Sequence, residues 1–339
     1  MIEVSVILPV YNSFSTIEQT LNSIINQKFL KKYEIIVIND GSTDKTNEIL
    51  EKFKRKYINI INVINKKNSG VSDSRNIGLK MSRGKFVTFI DSDDLYEENF
   101  LQKLYDKINN GFDLVSCSYK NFEANNKIHN LEKSEKFFSI NNYIEKTQSN
   151  YLFNQIWNKI YKIEIIKEKN IKFDINKSIA EDWEFNLKYI KECKNIYHIN
   201  ECLYDYRISS NGLGFRYRKD SYKIKFELLN LTDKIYDELN IVDDYIDKCY
   251  IKQTFSFLSS IMDKRNNITF KEKINNIRNF FESNDFMERM SKMTIHDIKY
   301  KIMLYFIKLK NPYILSILGI IANLYDCKDK KKKFGIDGG

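Results

Sequence analysis

Four apolar runs separated by amphipathic stretches occupy the first hundred residues, and few folds accept that arrangement. Val4–Val10 is a β-branched run that passes through Pro9. Residues 16–27 set Ile17, Leu21, Ile24 and Ile25 at helical spacing. The pattern then predicts a strand over 33–39, a helix over 45–56, a strand near 60–65, a helix over 72–81 and a strand over 86–91. Apolar strands without polar alternation must be covered on both faces, which is the condition of a parallel sheet between helical layers. The segment therefore reads as an α/β doubly wound domain.

Beyond Asp94 the alternation loosens. Residues 113–118 read as a strand, 120–134 as a loop or hairpin, and 141–206 as short helices with a strand near 196–200. From Ser221 onward the apolar spacing is helical, with Phe226, Leu229, Ile235 and Leu239 first and then residues 250–262. A chain of 339 residues suggests about two domains. The boundary is expected near 215–220, beside Gly212 and Gly214. Residues 300–325 read as an apolar helix interrupted by Lys301, Lys308 and Lys310. Residues 328–333 follow with five Lys and one Asp. An apolar helix with a basic tail suits an interfacial anchor on anionic lipid, over about 300–333, or else a buried helix ending in solvated charge.

Composition narrows the rest. The net charge of +10 attracts phosphates, nucleic acid or anionic lipid without choosing among them. No basic–aromatic stripe lies on one element, so nucleic acid is not expected as a partner. Five dispersed Cys without a CxxC read as reduced thiols of a cytoplasmic protein, and zinc is not expected. The N-terminus MIEVSVILPVYN reads as a strand and not as a signal peptide. No P-loop, no strand-borne GxGxxG and no Ser-His-Asp order is present, which removes kinase, dinucleotide and hydrolase readings. His129, His198 and His296 form no cluster in the sequence and read as structural or surface residues.

In a parallel sheet, ligands bind at the carboxyl ends of the strands. The first strand ends in Pro9-Val10-Tyr11-Asn12, an aromatic suited to a base or ribose. The second ends in Asn39-Asp40-Gly41-Ser42-Thr43-Asp44, where a carboxylate can accept from a base edge. The fourth ends in Asp91-Ser92-Asp93-Asp94. Chance alone would place roughly six acid-x-acid pairs in a chain with 45 acids, so the bare pattern is weak. At the end of a buried strand, however, three acids repel strongly unless a cation sits among them. Hard oxygen ligands select Mg²⁺ or Mn²⁺, and a cation with open positions suits a diphosphate.

VSVILPVYN, IIVINDGSTD, NSGVSDSRNIGL and GKFVTFIDSDD, in that order, resemble family 2 glycosyltransferases of the GT-A fold, of the bacterial surface-polysaccharide type. The resemblance is dense over residues 2–100 and thins toward 215. It implies a Rossmann-like GT-A domain over 1–217, with a nucleotide-binding half (1–100) and an acceptor-binding half (101–217). A smaller helical C-terminal region, 218–339, follows. By this resemblance Pro9, Tyr11 and Asp40 hold the uracil and ribose of a UDP-sugar. Asn68 and Arg75 lie beside nucleotide and sugar, although Arg75 can instead pair with the sheet-end acids. Asp91, with Ser92 beside it, approaches the ribose and donor sugar, and Asp93 binds Mn²⁺ or Mg²⁺ on the diphosphate.

Ala180-Glu181-Asp182-Trp183 resembles the acidic pair that opens a helix after the acceptor loop. An inverting transfer needs one carboxylate to deprotonate the acceptor hydroxyl. Asp182 is the expected base, with Glu181 orienting hydroxyls; the alternative is two acids favourably placed at a helix N-terminus. Trp157-Asn158-Lys159-Ile160-Tyr161 resembles the segment before this pair, with Lys159 either a substrate contact or a surface lysine. Tyr204-Asp205-Tyr206-Arg207 resembles the approach to a lid, and Arg207 can supply positive charge to the diphosphate. The chain departs from the family there, with Ser209 and Gly212 where relatives commonly carry His and Ser.

The expected function is inverting, metal-dependent transfer of a hexose or N-acetylhexosamine from a UDP-sugar. The acceptor is a hydroxyl of a cell-surface glycan or a lipid-linked oligosaccharide, reached at the inner face of the cell membrane. The alternative is a catalytically idle sugar-nucleotide-binding scaffold. The C-terminal helices serve membrane contact or homo-oligomer formation.

Overall fold

The computed structural model describes residues 1–122, 128–129, 136–148, 152–177, 179–207, 221–241, 244–282 and 289–333. The chain divides into two units, Met1–Ser209 and Ser210–Gly339. Gly212, Gly214 and Ser209, and with them the lid segment, lie outside the described residues.

The first unit begins with β1 (Val4–Val10), α1 (Ile17–Ile25), β2 (Tyr33–Asp40), α2 (Thr46–Lys56), β3 (Ile61–Lys66), α3 (Val71–Met81) and β4 (Phe86–Phe89). It continues through β5 (Leu95–Tyr96), α4 (Phe100–Asn109), β6 (Leu114–Phe122), β7 (Ile128–His129), β8 (Lys136–Phe138) and α5 (Ile140–Gln148). It ends with β9 (Lys159–Lys162), α6 (Ile163–Glu168), α7 (Glu181–Ile190) and β10 (Ile196–Arg207). One sheet runs β3-β2-β1-β4-β9-β6-β10-β5, with β7 on β6 and β8 on β10. Its long ladders, β1 on β2, β2 on β3 and β6 on β10, are parallel, as is β1 on β4. The short β9 enters antiparallel between β4 and β6.

Burial follows strand position. Every residue of the central β1 is buried, whereas edge strand β3 alternates at its start between buried Ile61 and Val63 and exposed Asn62. Each fully buried Val, Leu or Ile contributes on the order of 2 kcal/mol. Pro9 is tolerated in a central strand for a geometric reason. The Ile7 carbonyl accepts from Ile90 N (3.1 Å), so residues 7 and 9 both turn their backbone polar groups toward β4. Because β4 stops at Phe89, the N–H that proline lacks falls at the end of the β1–β4 ladder and not within it. β1 thereby outruns β4 and opens a crevice where the strand order reverses.

Two local features aim residues at that crevice. A Cβ on Gly78 would stand 2.4 Å from Ile7 Cγ2, so only glycine lets α3 lie this close to β1. That approach sets Arg75, one turn earlier, over the sheet end. β10 runs on through an irregularity between Ile199 and Tyr204, well past the strand expected near 196–200, and delivers Tyr204 and Arg207 to the same end. Of the loop or hairpin expected over 120–134, the described residues form the hairpin: β6 continues to Phe122 and pairs antiparallel with β7.

The second unit is helical: α8 (Ser221–Glu238), α9 (Tyr245–Met262), α10 (Phe270–Phe281), α11 (Ile298–Lys308) and α12 (Pro312–Lys333). Its core gathers Ile251, Phe257, Leu258, Ile277, Phe281, Ile307 and Leu315. Thr269 and Glu272 form a reciprocal capping box on α10. The single apolar helix expected over 300–325 is two helices. Lys310 adopts φ 53°, Pro312 opens α12, and Asn311 Oδ1 accepts from Tyr313 N (3.0 Å) and Ile314 N (3.2 Å) as its cap. Among the described residues no helix is long and apolar enough to cross a membrane.

Candidate active site

The loops that follow β1 and β2 are stitched together. Asn12, at φ 49°, accepts from Thr43 N through its side chain (2.8 Å), and its own N–H donates to Ser42 Oγ (3.0 Å). Tyr11 is left 49% exposed at the crevice, while Pro9 is buried beneath it. Asp40 fastens the loop into α3: Oδ1 accepts from Ser69 N (2.8 Å) and from Lys66, and Oδ2 accepts from Gly70 N (2.9 Å). Asn68, inside that loop, is exposed.

After β4 the chain makes a tight acidic turn, with Asp94 N donating to Asp91 O (3.2 Å). Ser92 meets Ser13 through their hydroxyls (2.6 Å), and its carbonyl accepts from Thr16 (2.9 Å) and Thr20 (3.1 Å) on the α1 side. Asp94 is fully buried and accepts from the Tyr204 hydroxyl (2.6 Å) and from Arg207 N (2.7 Å). Arg207 grips the same turn, Nε to the Asp93 carbonyl (2.8 Å), and reaches Gln19 (2.7 Å). Among the described residues no other residue's donor bonds the Asp93 carboxylate, which accepts from its own backbone N–H. Burial, and then the neighbouring Asp91, push its pKa up to about 6.

α7 starts at the opposite wall, after Ala180 in the left-handed region (φ 58°). Arg75, 3% exposed, joins the two walls. Its Nη1 donates to Asp182 Oδ1 (2.7 Å) and Glu181 Oε1 (3.1 Å), and its Nη2 to Asp91 Oδ1 (3.1 Å). The guanidinium also lies 5.4 Å from the Phe173 ring, which stacks on Phe185 at 4.2 Å. Asn76 holds Phe173 by both backbone groups (2.8 and 2.9 Å). Burial disfavours the charge on Arg75, but Asp182, Asp91 and Glu181 more than offset it and raise its pKa. Burial pushes the Asp182 carboxyl up to about 8; Arg75 opposes this, while Glu181 and Asp91 add to it.

Of the residues expected at the site, Arg75, Asp91, Glu181 and Asp182 meet directly, and Ser92, Asp93 and Arg207 belong to the adjoining turn. Pro9, Tyr11, Asp40 and Asn68 line the strand-end loops beside them. Sequence reasoning assigned no role to three supports. Asp94 stood inside a noticed motif, and Asn76 stood beside Arg75; Phe173 carried no signal. A fourth support, Lys159, was expected as either a substrate contact or a surface lysine, and it is no surface lysine. It is fully buried, and its ammonium donates to Leu152 O (2.6 Å), Asn158 Oδ1 (2.8 Å) and Gln155 O. Asn186, one turn beyond Asp182 on α7, holds Phe153 O (2.7 Å) and Gln155 O (3.0 Å) of the same loop.

Among the described residues no group of three or more His, Cys, Asp or Glu is gathered into a metal cage. The site instead offers single hard carboxylates at the end of a parallel sheet, the arrangement of a nucleotide-sugar transferase of GT-A type. Residues 5–172 match the model of glycosyl transferase family 2, and the chain belongs to that family. It is 30% identical over 223 residues to the uncharacterized glycosyltransferase EpsJ of Bacillus subtilis, covering 62% of each protein. It is 36% identical over 222 residues to the glycosyltransferase GlyA of Streptococcus pneumoniae, covering 62% of this chain and 31% of that one. The chain therefore spans under two thirds of the length of these relatives. TarS of Staphylococcus aureus, a poly(ribitol-phosphate) beta-N-acetylglucosaminyltransferase, is 29% identical over 216 residues, 62% of this chain and 36% of that one. The structure of TarS residues 1–349 with UDP-GlcNAc shares the fold, with a TM-score of 0.68 at 21% identity over 94% of this chain and 90% of that one.

Proposed function

We propose that this chain is an inverting, metal-dependent glycosyltransferase that moves a hexose or N-acetylhexosamine from a UDP-sugar to a hydroxyl of a surface glycan or lipid-linked oligosaccharide. The observation that carries the proposal is the Arg75 bridge, which ties a donor-side carboxylate, Asp91, to the acceptor-side pair Glu181 and Asp182. Donor chemistry and acceptor chemistry are thereby held in one cluster.

Asp182 is the base. Arg75 occupies its Oδ1, and among the described residues no donor takes Oδ2, which is free to accept the acceptor's hydroxyl proton. As that proton moves, the acceptor oxygen forms its bond to the anomeric carbon on the face opposite the departing UDP, whose bond to that carbon breaks. Configuration inverts, and Asp182 finishes protonated. Tyr11 and the Asp40 loop cradle the uridine, with Asn68 on the rim.

The acidic turn fits a divalent cation. Asp93 presents a carboxylate that no donor from another described residue holds, with a raised pKa and with Asp91 and Asp94 beside it. Mg²⁺ and Mn²⁺ commonly use one or two carboxylates plus substrate phosphates. When bound, such a cation supplies charge that neutralises the leaving diphosphate. Asp94 and Arg207 keep the turn in shape to present Asp93.

The test is UDP release from a panel of sugar nucleotides with a glycan acceptor, with and without Mn²⁺. Release from one UDP-sugar is expected, lost without metal and in Asp93→Ala. Asp182→Asn is expected to slow turnover by about 10²–10⁴-fold while donor binding persists. Equal turnover in Asp182→Asn would remove Asp182 as the base. Tight UDP-sugar binding without turnover on any acceptor would favour the idle scaffold.

A further inference from the structure

Helices α11 and α12 are apolar on two opposite sides. A helix on a protein surface buries one stripe and turns polar residues outward. In α11, Leu304 and Ile307 enter the core, yet Ile298, Ile302, Tyr305 and Leu309 form a second stripe at i, i+4, i+7 and i+11. In α12, Leu315 is buried and Gly319 lies against the Leu258 carbonyl of α9. Tyr313, Ile317, Ile320, Ile321 and Leu324 repeat the same outward stripe. These nine side chains are 43% to 74% exposed. At 100° per residue both stripes centre roughly opposite the core-facing positions. Leaving so much apolar surface in water is costly, and contiguous exposed patches mark interaction sites.

Charge decides what covers it. From Ile298 to Tyr325 the chain holds Lys299, Lys301, Lys308 and Lys310 and no Asp or Glu. On α11, Lys299 falls on one flank of the stripe and Lys301 and Lys308 on the other, all exposed. Residues 328–333 add five Lys against one Asp. A second copy meeting this face stripe to stripe would set lysines against lysines. An anionic bilayer offers the complement: a headgroup layer for the ammonium groups and an acyl boundary for the stripe.

We infer that the outward faces of α11 and α12 dock, without insertion across it, on an anionic lipid surface. This inference stands independently of the catalytic proposal. The lysines draw the two helices flat onto the headgroups, and the Ile, Leu and Tyr side chains sink below them.

The full chain should float with phosphatidylcholine vesicles containing 30% phosphatidylglycerol and not with pure phosphatidylcholine, and added salt should weaken the interaction. Ile302→Glu and Ile317→Glu should each lower partitioning about tenfold. Charge reversal at Lys299, Lys301 and Lys308 together should abolish it. Both isoleucines project from the core, so unchanged circular dichroism and melting serve as the folding control, and UDP-sugar binding should be unaffected. Equal binding to neutral vesicles, no binding to anionic ones, or undiminished binding by both Ile→Glu variants would overturn the proposal. A lipid-free dimer dissolved by Ile302→Glu would overturn it in favour of a second copy. Because vesicle binding is read without catalysis, failure here leaves the proposed transfer standing, and failure of transfer leaves this surface standing.

Discussion

Arg75 and Lys159 are both buried cations of the first unit, 3% and 0% exposed, and they are kept in opposite ways. Arg75 is ringed by three carboxylates, which raise its pKa despite burial. Lys159 faces two backbone carbonyls and an amide oxygen, and burial pulls its pKa down to about 7. Full charges stabilise a buried cation more than dipoles do, so the first stays charged at any relevant pH while the second is poised near neutrality. The division follows their tasks. Arg75 joins two acidic elements that would otherwise repel; Lys159 ties up the polar backbone of the 152–158 loop that α7 rests on through Asn186.

Three experiments test the contrast. The largest effect is expected from Arg75→Ala, which leaves Asp91, Glu181 and Asp182 facing one another. A loss of about 3–5 kcal/mol should appear in urea unfolding. Arg75→Lys should recover only part of this, since one ammonium cannot reproduce a planar fork reaching both walls. Full recovery would mean that charge alone matters. Lys159→Met should cost less, about 1–3 kcal/mol, because it strands carbonyl acceptors and removes only a weak influence on the buried Asp182. A rise in melting temperature would show that the buried ammonium costs more than its three bonds return.

The smallest effect concerns pH. Asp182 must be deprotonated to accept a proton, and its raised pKa means that kcat/KM should climb with pH, reach half its plateau near 8 and level off above that. The limb should move to higher pH in Arg75→Lys, since the guanidinium is what opposes the burial. Lys159→Met should move it far less in the same direction, because Lys159 is the weakest of the named influences on Asp182. Equal shifts in the two variants would collapse the distinction between charge-held and dipole-held cations. The same carboxyl affects stability. With a folded pKa above its ordinary value, its contribution is fully present at low pH and is lost as pH rises through about 8.

Most of the first hundred residues were legible because their signals are local. Apolar runs, helical spacing and strand-end acids all lie within a dozen residues, and β1, β2 and α2 sit within a residue or two of where periodicity sets them. Arg75, Asp91 and Asp182 were likewise legible as residue types in motifs. That the Arg75 guanidinium touches both of these carboxylates was left open between a substrate contact and an ion pair, since the contacts span 16 and 107 positions. Phe173 was illegible, being one aromatic among 45 Phe and Tyr. Asn311-Pro312 did carry a readable break, a cap followed by a residue that opens a helix. Apolar content masked it when residues 300–325 were taken as one run.

By itself, the sequence determined the alternation of strand and helix, the parallel core and the identity of the acidic residues at the strand ends, because each depends on period and composition within a short window; the family came from the resemblance of four ordered motifs. Only the tertiary structure decided which carboxylates share a cation, which lysine is buried, and which side of α11 and α12 remains uncovered. Those outcomes depend on close approaches between distant segments, such as α3 on β1 across Gly78, and on which faces the packed core has already used.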